Sequence, residues 1–303
     1  MPTFDLNARS CPICGSDDES RVFAEAEFDA DRLDAFAFSS RKTPEYMRHR
    51  LIECPGCDLV YATPLPHREM LANAYRAADF DSADLARRAA GTYARVLPAL
   101  LRKLPDLDGA LDVGTGDGAF LEHLLIHGCT HVFGVEPSAA PIRAARRAVR
   151  PLIRHDIFRP EDFEAGRHAL ITCFQTIEHV ADPTAFARGA FGLLKPGGVV
   201  YLVCHNRRGL LNRALGLKSP IMDIEHMQLL SPTSARLLLE RAGFTDVSVR
   251  PIVNTYPLAY WLRLAPLPPR WKRVALGLCR RSGVGRLPVP MAVGNLAVIG
   301  FKP

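Results

Sequence analysis

The sequence lacks the features of a membrane-spanning or secreted chain. No uninterrupted apolar stretch is long enough to cross a bilayer, although 48% of the residues are hydrophobic. The first ten residues contain Asp5 and no apolar segment of the kind that secretory signals carry. No internal repeat is present. We therefore expect a cytoplasmic globular protein.

Lysine is scarce, because 32 of the 38 basic residues are arginine, and the net charge is +6. A basic balance can indicate a nucleic-acid or anionic-membrane partner. The arginines are spread along the chain, however, and no basic stretch alternates with aromatic residues as single-strand binders require. We expect no nucleic-acid partner and a small-molecule acceptor substrate instead. The composition says nothing about the oligomeric state.

Four of the eight cysteines form two CxxC pairs, which are Cys11 with Cys14 and Cys54 with Cys57. In a cytoplasmic chain, paired CxxC units indicate a metal site rather than disulfides. Two such turns complete a tetrahedral four-thiolate zinc site with no open position, so the predicted role of Zn²⁺ is structural. The 39 residues between the pairs must loop out. The alternative is a redox role, although neither pair opens a helix in a βαβ unit.

The chain divides into three predicted units. Residues 1–66 form a zinc-ribbon-like module, residues 67–105 a helical linker or lid, and residues 106–303 an α/β domain. From residue 109 onward, apolar strands alternate with helices, including one over 141–150, and the last two strands are predicted over 245–250 and 296–301. Apolar strands in this order indicate a parallel sheet covered on both faces. Insertions at about 205–230 and 251–293 are expected to form lids.

A glycine loop joins the first strand of this domain to its first helix, in the sequence Leu-Asp-Val-Gly-Thr-Gly-Asp-Gly over 111–118. Glycine permits close approach of a ligand to the backbone, and a helix N-terminus favours anionic groups. Glu136 ends the next strand and can accept hydrogen bonds from both ribose hydroxyls of an adenosine. Asp156 follows the next short strand and is placed to accept from an adenine amino group, or else acts as a helix N-cap or turn residue.

Together these segments resemble the motifs of class I, Rossmann-like, S-adenosylmethionine-dependent methyltransferases. The similar segments are the glycine loop, FGVEPS, HDIF, FQTIEHVADP, LLKPGG, VVYLV, SPTSARLLLERAGF and GNLAVIGFKP, which lie between about residues 105 and 303. The rival family of nicotinamide-dependent dehydrogenases has a GxGxxG spacing that the loop lacks. The resemblance implies a mostly parallel seven-stranded sheet with an antiparallel last strand.

The resemblance also implies which residues hold the cofactor. The loop should pass under the methionine part, and Asp112 should face its ammonium group, directly or through water. Glu136 should hold the ribose, Asp156 the adenine amine, and Gln175 should lie beside the methionine end and the acceptor. The predicted cofactor-binding residues are Asp112, Gly114, Thr115, Gly116, Gly118, Glu136, Pro137, Asp156 and Gln175.

Candidates for proton removal from an acceptor lie in two loops. Glu178 and His179 follow Gln175 on the loop after the fourth strand, where sites form in such sheets. His226 lies in the first lid segment beside Asp223 and Glu225, and His205 directly follows the fifth strand. Alternatively, Glu178 caps a helix, His179 packs against the cofactor, His226 ties the lid to the core, or Asp223, Glu225 and His226 bind a metal.

The sequence is compatible with three kinds of protein. We expect O- or N-methylation of a small molecule in natural-product, sugar or envelope metabolism, because similar N-terminal modules occur in sugar methyltransferases, although the C-terminal domain of the sugar C-methyltransferases is not found here. A non-enzymatic adaptor is one alternative. The other is a membrane-surface enzyme acting on a lipid-linked acceptor, because residues 256–264 and 271–278 are amphipathic with basic and aromatic side chains. A lid packed on the core would account for the same segments.

Overall fold

The computed structural model describes residues 6–27, 29, 46–66, 68–78, 83–265 and 267–303. The predicted loop between the two cysteine pairs falls partly outside the described residues. The strands are β1 (Leu6–Asn7), β2 (Val22–Ala24), β3 (Leu51–Glu53), β4 (Val60–Ala62), β5 (Leu65–Pro66), β6 (Asp108–Val113), β7 (Thr130–Glu136), β8 (Ile153–His155), β9 (His168–Phe174), β10 (Leu194–His205), β11 (Gln228–Leu229), β12 (Thr245–Pro257) and β13 (Pro288–Phe301). The helices are α1 (Arg68–Ala77), α2 (Ala83–Ala94), α3 (Leu97–Leu101), α4 (Ala119–Ile126), α5 (Ala139–Ala144), α6 (Pro183–Leu193), α7 (Leu210–Leu215), α8 (Pro232–Arg241), α9 (Leu258–Leu264) and α10 (Pro269–Ser282).

A seven-stranded sheet in the order β12-β13-β10-β9-β6-β7-β8 forms the centre of the protein. The neighbours from β10 to β8 pair in parallel, whereas β13 is antiparallel to both β10 and β12. This confirms the predicted α/β fold with a mostly parallel sheet and an antiparallel last strand. The carboxyl ends of β6, β7, β9 and β10 meet at one edge, where ligands bind in such sheets.

Both faces of the sheet are covered because its strands are apolar on both sides. Leu111 and Val113 of β6 pack with α6 and α8 on one face, whereas Ala110 packs with α2, α3 and α4 on the other. Successive side chains of a strand point to opposite faces, so a strand covered on both faces is mostly apolar along its length, with Asp112 in β6 and Thr172 in β9 as buried polar exceptions. The helical stretch predicted over 67–105 is thus divided into three helices, two of which close one face.

The end of the chain differs from the prediction. Strands β12 and β13 continue well beyond the predicted 245–250 and 296–301 and form a long antiparallel hairpin. The predicted lid over 251–293 therefore consists of strand at both ends, and only α9, α10 and their connections, residues 258–287, project from it. Helix α5 also ends earlier than predicted, at Ala144, because Ala145 is extended and the Arg150 side chain donates to the Arg143 and Ala145 carbonyls.

A second, four-stranded sheet in the order β11-β4-β3-β2 joins the N-terminal segment to the α/β domain. Strands β2, β3 and β4 come from the N-terminal segment, but β11 comes from the lid over 205–230 and pairs with β4. The division of the chain at residues 66 and 105 stays a prediction. Among the described residues, no helix is both long enough and apolar enough to cross a membrane.

Candidate active site and cysteine cluster

The glycine loop between β6 and α4 has a backbone that glycine alone adopts easily. Gly114 and Gly116 both have positive φ, 74° and 59°. A Cβ on Gly114 would lie 2.2 Å from Thr176 Oγ1, whereas a Cβ on Gly116 would meet nothing within 4 Å and would point into open space. Gly114 is therefore required for packing inside the protein, and Gly116 leaves room for a ligand.

Glu136 stabilises this loop from the end of the neighbouring strand β7. Its Oε2 accepts from the Gly116 N–H and its Oε1 from the Ser138 N–H, both at 2.9 Å. Each carboxylate oxygen keeps a second lone pair for another donor, such as a ribose hydroxyl. Burial raises the pKa of Glu136 to about 7 despite these two hydrogen bonds. The side chain is thus placed for a donor that favours its ionised form.

Asp112 is the second buried carboxyl group near the loop. Thr172 Oγ1 donates to its Oδ1 at 2.6 Å, and burial raises the pKa of Asp112 to about 6. A cationic ligand group nearby would restore the ionised form, which is what the predicted ammonium contact requires.

A cavity of about 1250 Å³ opens at this edge of the sheet. Single-ligand pockets commonly measure about 300–1,000 Å³, so a cofactor and an acceptor can share this one. The predicted site residues that line it are Asp112, Gly114, Thr115, Gly116, Glu136, Pro137, Gln175, His179 and His226. The cavity therefore unites the glycine loop with two of the predicted bases.

Three of the predicted cofactor-binding and catalytic residues do not line this cavity. Gly118 begins α4, and a Cβ there would approach Val149 and Ile153. The Asp156 carboxylate accepts from the Ile157 N–H at 2.8 Å and pairs with two flanking arginines, so its predicted contact with adenine has no support from its position. Glu178, the third, is fully buried, as described below.

Gln175 provides an independent indication that a ligand fits here. It follows β9 with a positive φ of 51°, and its backbone N–H donates to Val203 O at 2.7 Å. Its side-chain Nε2 is buried but finds no hydrogen-bond acceptor among the described residues. Because a buried donor without a partner is costly, it points to a ligand acceptor at the methionine end of the cavity.

Three imidazoles, those of His179, His205 and His226, meet in the same cavity, and we call them the histidine cluster. The His226 ring lies in the middle, 4.9 Å from the His179 ring and 5.0 Å from the His205 ring, measured between centroids. The chain brings them together from the loop after β9, the last residue of β10 and the lid. These residues lie up to 47 positions apart in the chain, so their proximity becomes visible only in the folded structure.

The hydrogen bonds of the histidine cluster fix which nitrogen is basic. Nδ1 of His226 lies 2.9 Å from the Ile221 carbonyl, and Nδ1 of His179 lies 3.0 Å from the Glu225 carbonyl. A carbonyl only accepts, so Nδ1 carries the hydrogen and Nε2 is the proton acceptor of each neutral ring.

The Glu178 side chain is hydrogen-bonded to the backbone of His205. The Glu178 Oε1 accepts from the His205 backbone N–H, while burial raises the pKa of Glu178 to about 7. Burial also lowers the pKa of His205 to about 4, so its ring is neutral near pH 7. Glu178 is buried and does not line the cavity, so its predicted catalytic role has no support from its position and stays a prediction.

Several cavity residues were not predicted from the sequence. Tyr75 of α1 donates to the Glu225 carbonyl at 2.8 Å and lies 3.2 Å from His179 Nδ1. Asn254 of β12 is buried with an Oδ1 that has no donor among the described residues. Neither residue carries a signal in the sequence, because Asn254 lies in the part of β12 beyond the predicted strand. The cavity is also lined by Tyr256, Tyr260 and Trp261, whose ring centroids lie 4.4–5.3 Å apart and which we call the aromatic wall.

The four predicted metal ligands come together on the N-terminal segment. The Sγ atoms of Cys11, Cys14, Cys54 and Cys57 all lie within 4.8 Å of one another. Both turns have the same form, because Gly15 N donates to Cys11 O at 2.9 Å and Asp58 N donates to Cys54 O at 3.0 Å. Four thiolates around one point fit a tetrahedral Zn²⁺ site.

Known methyltransferases are similar to this chain in sequence or in structure. A ubiquinone biosynthesis O-methyltransferase of Marinobacter nauticus is 28% identical over 170 residues, covering 49% of this chain and 71% of that protein. The protein of that name from Escherichia coli O9:H4 (strain HS) is 30% identical over 174 residues, covering 49% of this chain and 69% of its own. A solved SAM-dependent methyltransferase from Thermotoga maritima matches with a TM-score of 0.48 and 18% identity, covering 72% of this chain and 91% of that one.

The model of the methyltransferase domain family matches residues 85–249, which is more than half of the chain. This match includes the glycine loop, Glu136, Gln175 and the histidine cluster. It favours an enzyme over the non-enzymatic adaptor that the sequence left open. The chain belongs to the methyltransferase domain family and is an S-adenosylmethionine-dependent methyltransferase.

Proposed function

We propose that the protein transfers a methyl group from S-adenosylmethionine to a hydroxyl oxygen of a small-molecule acceptor. The observation that carries this proposal is the histidine cluster, in which Nε2 is the basic atom of His179 and His226. An oxygen acceptor benefits from a base that removes its proton, as neutral imidazole does near pH 7. The relatives named O-methyltransferases support oxygen over nitrogen as the acceptor atom.

The residues of the cavity fit the cofactor at one end. Glu136 would accept from the ribose hydroxyls, Asp112 would face the ammonium group, and Gln175 would donate to the methionine end. When bound, the cofactor supplies a methyl group already activated by its sulfonium. The protein then has to align the acceptor, exclude water and hold the proton.

His226 is the proposed base because it lies at the centre of the histidine cluster and its Nδ1–H is fixed by the Ile221 carbonyl. Its Nε2 lies 3.8 Å from Glu225 Oε1, which stabilises the imidazolium that forms on proton transfer. Glu178 acts as a positioning residue that holds the His205 backbone.

The acceptor is proposed to be aromatic, a phenol or catechol. The aromatic wall offers flat apolar surfaces, and the buried Asn254 Oδ1 can accept from a hydroxyl. The natural-product, sugar or envelope setting stays a prediction.

The four cysteines are proposed to hold one structural Zn²⁺, with no open position for catalysis.

Methyl transfer can be tested with S-adenosylmethionine labelled in its methyl group and a panel of phenols, catechols and aromatic amines. We expect label on oxygen, and label on amines alone would overturn the proposal.

His226→Ala should lower turnover by about 10²–10⁴-fold while leaving cofactor affinity nearly unchanged. His179→Ala is the matched variant. Full activity of His226→Ala with loss in His179→Ala would move the base, and full activity in both would exclude a histidine base from this pair.

A further inference from the structure

The segment between β12 and β13, residues 258–287, carries charge of one sign. It contains seven basic residues, Arg263, Arg270, Lys272, Arg273, Arg280, Arg281 and Arg286, and no aspartate or glutamate. No acidic residue occurs anywhere after Asp246. A segment this cationic, placed at the end of a hairpin, attracts an anionic surface.

Helix α10 of this segment also exposes an apolar stripe. Trp271, Val274 and Leu278, spaced as one helix face requires, are 58%, 54% and 61% exposed. None of the residues of α10 is buried. Leu267 before the helix and Leu287 after it are exposed as well. A row of exposed apolar side chains on a 14-residue helix is typical of a surface that contacts a protein or a membrane.

Exposed arginines border this stripe on one side of the helix, where Arg270 and Arg281 lie next to it and Arg273 and Arg280 lie farther round. Arg270, Arg273, Arg280 and Arg281 are exposed, and the Arg270 guanidinium lies 5.5 Å from the Trp271 ring centre. Aromatic and basic side chains together on an amphipathic helix match the boundary between lipid headgroups and acyl chains. A second copy of this chain is a poorer occupant, because the same seven positive charges would face each other.

We propose that α10 docks the protein on an anionic lipid bilayer. The apolar stripe enters the headgroup boundary, and the arginines beside it contact lipid phosphates. Lys272 Nζ donates to the Arg263 carbonyl at 2.9 Å and so joins α10 to α9. Tyr260, Trp261 and Leu264 of α9 line the cavity, so docking brings the acceptor end of the cavity close to the bilayer. Delivery of a lipid-soluble acceptor by this route rests on the proposed function, whereas docking itself does not.

Sedimentation of the full chain with vesicles tests docking without any acceptor. We expect the protein to sediment with vesicles of phosphatidylcholine and phosphatidylglycerol, and much less with phosphatidylcholine alone or in high salt. No sedimentation with the anionic vesicles would overturn the proposal. So would a protein that is dimeric without lipid and becomes monomeric on Trp271→Ser, because the stripe would then be an interface between copies.

Two variants separate the apolar and the charged contributions. Trp271→Ser with Leu278→Ser, and Arg273→Gln with Arg280→Gln, should each lower vesicle binding by roughly tenfold or more. Ile126→Ser and Arg147→Gln are the controls, because these residues are exposed elsewhere on the surface. Unchanged thermal midpoints and S-adenosylmethionine affinity show that the variants fold. Equal losses in the controls, or no loss in the α10 variants, would contradict docking through this helix.

Discussion

At the scale of single residues, Glu136 connects loop geometry to cofactor binding. Its carboxylate already accepts from two backbone N–H groups, so it organises the glycine loop before any ligand arrives. Glu136→Ala should lose roughly 1.5–3 kcal/mol of S-adenosylmethionine affinity, the scale of a charge-assisted hydrogen bond left unmade. Calorimetry measures this loss, and an unchanged affinity would contradict the ribose contact.

The raised pKa of Glu136, about 7, predicts a pH dependence of the same affinity. Ribose hydroxyls donate to the ionised carboxylate, so binding releases a proton wherever the group is protonated in the absence of cofactor. Affinity should therefore fall as pH drops below about 7, by up to about tenfold per unit. Asp112, with its pKa of about 6, steepens the fall at lower pH. Glu136→Gln cannot titrate and should remove the dependence near pH 7, whereas a flat wild-type profile would contradict the assignment.

The sequence could predict Asp112 and Glu136 because both stand at strand ends, where position in the chain determines position at the sheet edge. It could not place Asp156 in the same way. That side chain accepts from the Ile157 N–H and pairs with Arg154 and Arg159, contacts that strand spacing does not reveal, so its contact with adenine stays a prediction. Spacing along the chain predicts where a backbone lies better than where a side chain points.

At the scale of elements, the glycine loop offers a matched pair of substitutions. Gly114→Ala should destabilise the protein strongly, because its Cβ would overlap the Thr176 side chain. Gly116→Ala should cost only about 1–2 kcal/mol for a left-handed backbone, since its Cβ meets open space. That methyl group would nevertheless occupy the path of the cofactor, and affinity should fall by roughly tenfold or more. Thermal unfolding and calorimetry separate the two effects, and a Gly116→Ala protein that binds like the wild type would show that the cofactor lies elsewhere.

Strands that are buried on both faces were easier to predict from the sequence than strands that are partly exposed. Strands β6 and β9 show apolar runs in the sequence because both of their faces are covered. The outer parts of β12 and β13 are partly exposed and contain Pro251, Pro288 and Pro290, so they gave no strand signal. The pairing of β11 with β4 could not be predicted, because a two-residue strand has no periodicity and its partner lies far away in sequence.

At the scale of the whole molecule, Arg9 ties the cysteine cluster to the histidine cluster. The guanidinium of Arg9, two residues before Cys11, donates to the Ala181 and Met227 carbonyls, both at 2.8 Å. Met227 directly follows His226, and Ala181 lies two residues after His179. Strand β11 begins at the next residue, Gln228, and continues the sheet of the N-terminal segment. The N-terminal segment thus supports the loop that carries His226, the proposed base, and the loop that carries His179.

Removal of the metal should therefore affect the acceptor end of the cavity more than the cofactor end. Without Zn²⁺ the thiolates repel or protonate, the turn at Cys11 loses its constraint, and Arg9 loses its fixed position. Hydrogen exchange of residues 221–229 should accelerate, while protection of β6 and β7 and affinity for S-adenosylmethionine change little, because Glu136 and the glycine loop are held within the large sheet. Cys54→Ser should reproduce the effect of a chelator, and Cys279→Ser, outside the cluster, should not. Unchanged protection of residues 221–229 after metal loss would show that the N-terminal segment is an independent unit, and equal loss of protection in β6 and β7 would show that the metal stabilises the whole fold rather than the loop that carries His226.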